Sequence, residues 1–143
     1  MLFRSGADLA LGELTDGTGP GGTITVSAQD SLSLSGYSAD LALTSSISSQ
    51  TFGAAKGGDI IASAPTITLE NGGQLVASRF GDAVTGNISV FAPSSLLISG
   101  SNSSGLSQIQ TTTGSLSVTA GSVTITAQEI GRASCRERVY SSV

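Results

Sequence analysis

The chain is 143 residues long, carries 6 Lys and Arg against 10 Asp and Glu for a net charge of −4, and contains neither His nor Trp. Charged residues make up 11%, aromatics 4% and hydrophobic residues 38%, which is too apolar for a disordered chain and enough for one domain. No stretch reaches the roughly 18 apolar residues of a membrane helix, and with no basic cluster the partners expected include neither nucleic acid nor anionic membrane surfaces.

The chain opens with MLFRSGADLALGELTDG, which lacks the apolar block of a signal peptide and meets acidic residues early. Within it, GADLALGELTDGTGP resembles the tail of a unit found later, GGQLVASRFGDAVT, so the sequence reads as starting partway through a coil. From Gly22 a strand is predicted in TITV, with Ile24 and Val26 on one face and Thr23 and Thr25 on the other. Two turn residues later SLSLS repeats the alternation with Leu32 and Leu34. An insertion, 37–44 (YSADLALT), interrupts before a third short strand at 45–49 and a turn at Phe52-Gly53. The next unit gives DIIAS, a turn at Ala64-Pro65, TITL, a turn at Asn71-Gly72-Gly73, and QLVAS. A further unit gives NISVF, Ala92-Pro93, LLIS, a loop at 100–105 and SQIQT, and a last one gives SLSVT and VTITA. Strict alternation over four to six residues bounded by Gly, Pro, Asn and Ser is the strand signal. No helix is predicted in 1–128.

These units repeat in register. Residues 58–85 are followed at once by 86–113, and 28 residues separate Ile60, Ile88 and Leu116, Ala64, Ala92 and Ala120, and Pro65 and Pro93. The same step links Ile47 to Leu75, Phe52 to Phe80 and Gly53 to Gly81; Ile24 to Ile60 is 36, the excess being the insertion. Such a period marks a solenoid, propeller or array. Stacking the units gives columns Ile24/Ile60/Ile88/Leu116, Val26/Ala62/Val90/Val118, Leu32/Ile67/Leu96/Val123 and Leu34/Leu69/Ile98/Ile125. Equal register lets each strand pair in parallel with its equivalent about 4.8 Å away. The expected architecture is all-β: a right-handed parallel β-helix (β-solenoid) of about four to five coils, three short strands per ~28-residue coil. One coil buries about five large apolar side chains at ~1.5–3 kcal/mol each, against ~1–2 kcal/mol per residue of backbone ordering, so it depends on its neighbours. A β-sandwich of evenly spaced strands is the alternative.

The last fifteen residues break the pattern. Residues 129–139, EIGRASCRERV, hold the only Cys and three of the six basic residues, Arg132, Arg136 and Arg138. They resemble the in-frame translation of a common sequencing adapter, so 1–128 is read as the repeat segment, an internal fragment of a longer chain. Residues 129–143 are read as a non-native, unstructured tail, the alternative being a short basic helix capping the solenoid. Cys135 is accordingly not taken as a nucleophile or metal ligand.

The units GGTITVSA…LSLSG, GGDIIASAPTITLENGGQLVASRFGDA and TGNISVFAPSSLLISGS are similar to the repeats of large filamentous-haemagglutinin-like exoproteins exported by two-partner secretion. The resemblance covers roughly residues 6–128 and lies in the repeats; the secretion domain of such proteins is not visible. It implies a shaft on the outer surface of, or released by, a Gram-negative, cyanobacterium-like cell, used in adhesion. The partners implied are the neighbouring coils of the same exoprotein and cell-surface glycans or proteins.

Catalysis by a β-helix needs acids, or a base with Ca2+-binding acids, converging on one face. Here Asp8, Glu13, Asp16, Asp30, Asp40, Asp59, Glu70 and Asp82 are scattered, and Asp59 is followed in register by Asn87 and Ser115. No GGxGxD calcium roll and no His occur. The chain is read as not an enzyme, with no catalytic, cofactor-binding or metal residues; a polysaccharide-active enzyme is the least favoured alternative. Glu70 and Arg79 are read as an exposed ion pair or as plain solubilising charges, not as catalytic groups. For sugar binding Tyr37 is the exposed aromatic, whereas Phe52 and Phe80 are assigned to core or turn packing. Outward Thr pairs, Thr23/Thr25, Thr66/Thr68 and Thr124/Thr126, resemble ice-binding arrays but drift to Asp59/Ile61 and Asn87/Ser89. The segments 37–44 and 100–105 leave the repeat and are the parts free to vary for recognition.

Overall fold

Short alternating strands bury one face only if their backbone groups find partners in other strands, and in a repeat the nearest equivalent strand lies one coil away. The computed structural model describes residues 2–4, 8–13, 20–38, 43–52, 55–80, 84–103, 105–114 and 119–133, giving backbone and register alone for 2–4, 8–13, 43, 132 and 133. The strands are β1 (Leu2–Arg4), β2 (Asp8–Glu13), β3 (Ile24–Ser27), β4 (Ser31–Ser35), β5 (Tyr37–Ser38), β6 (Leu43–Thr44), β7 (Ser46–Thr51) and β8 (Ile60–Ser63). They continue with β9 (Thr66–Glu70), β10 (Gln74–Arg79), β11 (Ile88–Ser99), β12 (Ser101–Asn102), β13 (Gly105–Leu106), β14 (Gln108–Thr113) and β15 (Val123–Ala133).

Each wall is a parallel ladder. On the first, β3, β8, the N-terminal half of β11 and the N-terminal half of β15 stack, with Ile24, Ile60 and Ile88 as partners. On the second, β1, β4, β9 and the C-terminal halves of β11 and β15 stack, with Leu32, Ile67 and Leu96 as partners. On the third, β2, β7, β10 and β14 stack through Leu9, Ile47, Leu75 and Ile109. The first two walls form one curled sheet, because β11 runs through their corner without a break. The register slips there between Ala92 and Ser95, and the N–H groups of Ser94 and Ser95 both donate to the Pro65 carbonyl. The result is all-β and parallel, compatible with a β-helix. The N-terminal unit matches its expected register, Asp8 and Leu9 lying below Ser46 and Ile47.

The inward residues make the core. Ile60, Ala62, Ile67, Leu69, Leu75 and Ala77 of one coil are all fully buried, as are Leu32, Leu34, Ile88 and Leu96 of its neighbours. Each large member contributes about 1.5–3 kcal/mol by leaving water.

Two sequence expectations are corrected at the last coil. Val123 and Ile125, not Leu116 and Val118, follow Ile88 and Val90 on the first wall, and Ile130 follows Leu96 on the second. The third coil therefore takes 35 residues, counted from Ile88 to Val123. It spends extra residues on the slip after Ala92 and on a hairpin described below, so the chain is still on the third wall at Gly114, whose N–H donates to the Arg79 carbonyl. Residues 115–118, including Leu116 and Val118, lie outside the described residues. Second, the strand does not stop at Gln128: Glu129–Ala133 pair with Ser95–Ser99, as neither an unstructured tail nor a capping helix would. The free edge of β11 offers N–H and C=O groups to any extended segment, because a backbone ladder does not read side chains. Residues 134–143 lie outside the described residues.

Candidate functional site

Three features stand out from the repeat, one at each of two corners and one on a wall. The first is the corner between the second and third walls. Gly36, Asn71 and Gly100 are equivalent there, each following a second-wall strand, and all three have left-handed φ, 101°, 50° and 74°. Gly and Asn are the residues that enter this region at least cost. In the middle coil the turn is then closed by Gly72 (φ 87°) and Gly73. In the coils on either side the chain makes an antiparallel hairpin instead: Tyr37 opposite Thr44 in one, Ser101 opposite Leu106 in the other.

Both hairpins are clamped at the base by the same device. The hydroxyl of Ser45 donates to the Ser35 carbonyl at 2.8 Å, and that of Ser107 to the Ser99 carbonyl at 2.6 Å. The second hairpin is also tied down to the turn below it. Asn102 Nδ2 donates to the Asn71 carbonyl at 2.7 Å, and Gly72 N–H donates to Ser107 Oγ at 2.9 Å. The two segments expected to be free for recognition thus lie on one corner, flanking one tight turn. Tyr37 is half-buried, and residues 39–42 and Ser104 lie outside the described residues.

The second feature is an Asx ladder at the corner where the chain enters the first wall. Asp59 Oδ1 accepts the Asn87 N–H at 2.7 Å, and Asn87 Oδ1 accepts the N–H and hydroxyl of Ser122 at 2.9 and 3.0 Å. Ser122, rather than Ser115, completes this column, for the register reason given above. Lys56 Nζ pairs with the Asp59 carboxylate at 3.0 Å. Partial burial pushes the Asp59 carboxyl up, but the Asn87 N–H and the Lys56 ammonium together outweigh it and hold it below its ordinary value. A carboxyl lowered by folding adds stability above its unfolded value near 3.9 and loses it as the pH falls through the folded value. Asp59→Asn keeps an acceptor for Asn87 but cannot titrate. Its urea midpoint should lie below that of the wild type at pH 7, and the gap should close below about pH 4. A gap independent of pH would dismiss the ladder as a titrating contact.

The third feature is aromatic. In QLVASRF, Leu75, Ala77 and Arg79 are buried on the inward phase, and Gln74, Val76, Ser78 and Phe80 fall on the outward phase, where Ser78 is nonetheless covered. Phe80 stacks on Phe52 with ring centroids 4.9 Å apart and planes 12° from parallel, and the rings are 57% and 39% exposed. Of the two assignments, core or turn packing, the exposure rules out the core, and the rings pack on each other where the turn begins. The exposed Glu70–Arg79 pair is corrected: Arg79 is 1% exposed and inward, between Thr51 and Thr113 in its column, while Glu70 ends β9 on the outward side. The strand's parity already carried both results, since Arg79 falls in phase with Leu75 and Phe80 with Val76.

Among the described residues, no group of three His, Cys, Asp or Glu side chains is placed to hold a metal ion. No helix among them is long and apolar enough to cross a membrane. No family model matches the chain, and neither a curated protein nor a solved structure matches it.

Proposed function

We propose that this chain is a segment of the non-enzymatic shaft of a large adhesin-like exoprotein, wound as a right-handed β-solenoid and displayed on or released from a Gram-negative cell surface. The observation that supports this reading best is the repetition of register: equivalent strands pair in parallel on each wall, and the first two walls return apolar residues to the same inward places, level after level. A shaft needs such a unit, because each coil is stabilised by the ones above and below and the length is set by their number. The right hand follows from the preference of parallel crossover connections for that hand. The likeness of the repeats to filamentous-haemagglutinin-like exoproteins supplies the adhesive context. The two hairpins are attachments to one corner of the rod.

Modularity tests this. Duplicating residues 58–85 should give a folded protein with the same circular dichroism per residue. Small-angle scattering should show it about 4.8 Å longer along one axis and unchanged in cross-section. Cutting either hairpin back to the Asn71-Gly72-Gly73 turn should keep the parallel ladders of the three walls intact and change neither length nor fold. A duplicated coil that unfolds the chain, or growth in all dimensions, would refute the shaft.

A further inference from the structure

We propose that the face of Phe80 turned away from Phe52 is a binding site for one sugar ring of a neutral polysaccharide, with Thr112, backed by Gln110, supplying hydrogen bonds to its hydroxyls. This goes beyond the shaft reading and does not depend on it.

The argument starts from the ladder on the outside of the third wall. Phe52 covers one face of Phe80. The next rung is Gly114, held in place by its N–H bond to the Arg79 carbonyl at 2.7 Å, and it brings no side chain to the other face. Gly114 is exposed, and Phe80 is the more exposed of the two rings. A Cβ built on Gly114 would lie 3.9 Å from Phe80 Cδ1, an ordinary contact distance, so a flat ring at that rung meets Phe80 as Phe52 does from below.

The surroundings select the ligand. The outward side chains of β7, β10 and β14 are Ser, Gln, Thr and one Val, with no ionised group among them. On the rung of the open face, Thr112 is exposed, and Gln110 Nε2 donates to Thr112 Oγ1. Amides and hydroxyls each donate and accept, as sugar hydroxyls require. An aromatic face takes the C–H side of a pyranose, and a few placed polar groups orient it. Anionic polysaccharides would call for Arg or Lys here, and the one such residue on β7, β10 and β14, Arg79, is buried inside the wall.

Native electrophoresis of the full chain, which migrates as an anion, through gels containing soluble galactomannan, hydroxyethylcellulose or alginate tests the site. Retardation is expected in at least one of the two neutral gels and not in alginate. Phe80→Ala should abolish it. Gly114→Phe should abolish it too, by extending the stack into the ligand's place, while the thermal midpoint stays level or rises. That variant separates loss of the site from loss of the fold. Mobility unaffected by both neutral polymers, retardation as strong in alginate, or retardation that survives Gly114→Phe would each overturn the proposal. Failure here leaves the rod measurement on the duplicated coil untouched.

Discussion

Gly86→Ala is expected to cost the segment about 3 kcal/mol, the upper end of overpacking losses, and to leave little native protein at 37 °C. The corner that enters the first wall is built from glycines stacked coil on coil. A Cβ on Gly86 would fall on the carbonyl of Gly58 and lie 3.0 Å from the Asp59 nitrogen; one on Gly58 or Gly121 would meet the carbonyl of the glycine one coil below, Gly22 or Gly86. These obstacles are backbone atoms, and the corner cannot open without losing the bonds from Ile60 N–H to the Asn87 carbonyl and from Ile88 N–H to the Ser122 carbonyl. Gly114→Ala is the control. Its Cβ would stand 3.3 Å from the Arg79 oxygen and 3.4 Å from Phe80 Cα, tight but accommodated by a small shift, so the loss should stay within about 1 kcal/mol. Chemical denaturation of the two variants checks this, and equal midpoints would mean that the coils do not approach at Gly86.

Ile88→Asp should abolish folding. Ile88 has no exposed surface and sits between Ile60 and Val123 in the first-wall column, so a carboxylate there loses its hydration without gaining a cation. An unpaired buried charge costs several kcal/mol, a large part of the stability of a domain this size. One residue earlier, Asn87→Asp keeps an oxygen for the Ser122 N–H and hydroxyl but sets a second carboxylate one coil above Asp59. A loss of about 0.5 kcal/mol is expected, larger in low salt. Similar unfolding midpoints for Ile88→Asp and Asn87→Asp would refute the inward and outward assignment of the whole first wall.

Much of the fold could be read from the residues. The columns Ile24/Ile60/Ile88 and Leu32/Ile67/Leu96, the 28-residue step from Ile47 to Leu75 and the insertion at 37–44 all recur in the ladders. Alternation works here because a side chain on a strand has only two directions, and a repeat fixes which strand lies next to which. The same rule, carried one strand further, assigns Arg79 and Phe80 correctly; the general expectation that Arg is exposed and Phe buried misplaces both. A residue's place in the pleat outweighed its type, since reversing one residue would reverse the buried Leu75 and Ala77 with it.

By itself, then, the sequence determined an all-β chain of stacked parallel strands and the inward faces of three walls, because both follow from period and parity. Only the tertiary structure decided how long each coil is and what lies across each corner. Hairpins at one corner lengthened the first and third coils. With those residues spent, Gly114 is still on the third wall, and it is Gly121 that meets Gly86. The pairing of Glu129–Ala133 was decided by an open backbone edge, which side-chain patterns do not report. The face of Phe80 lies open because, on the rung above it, the chain happens to place a glycine.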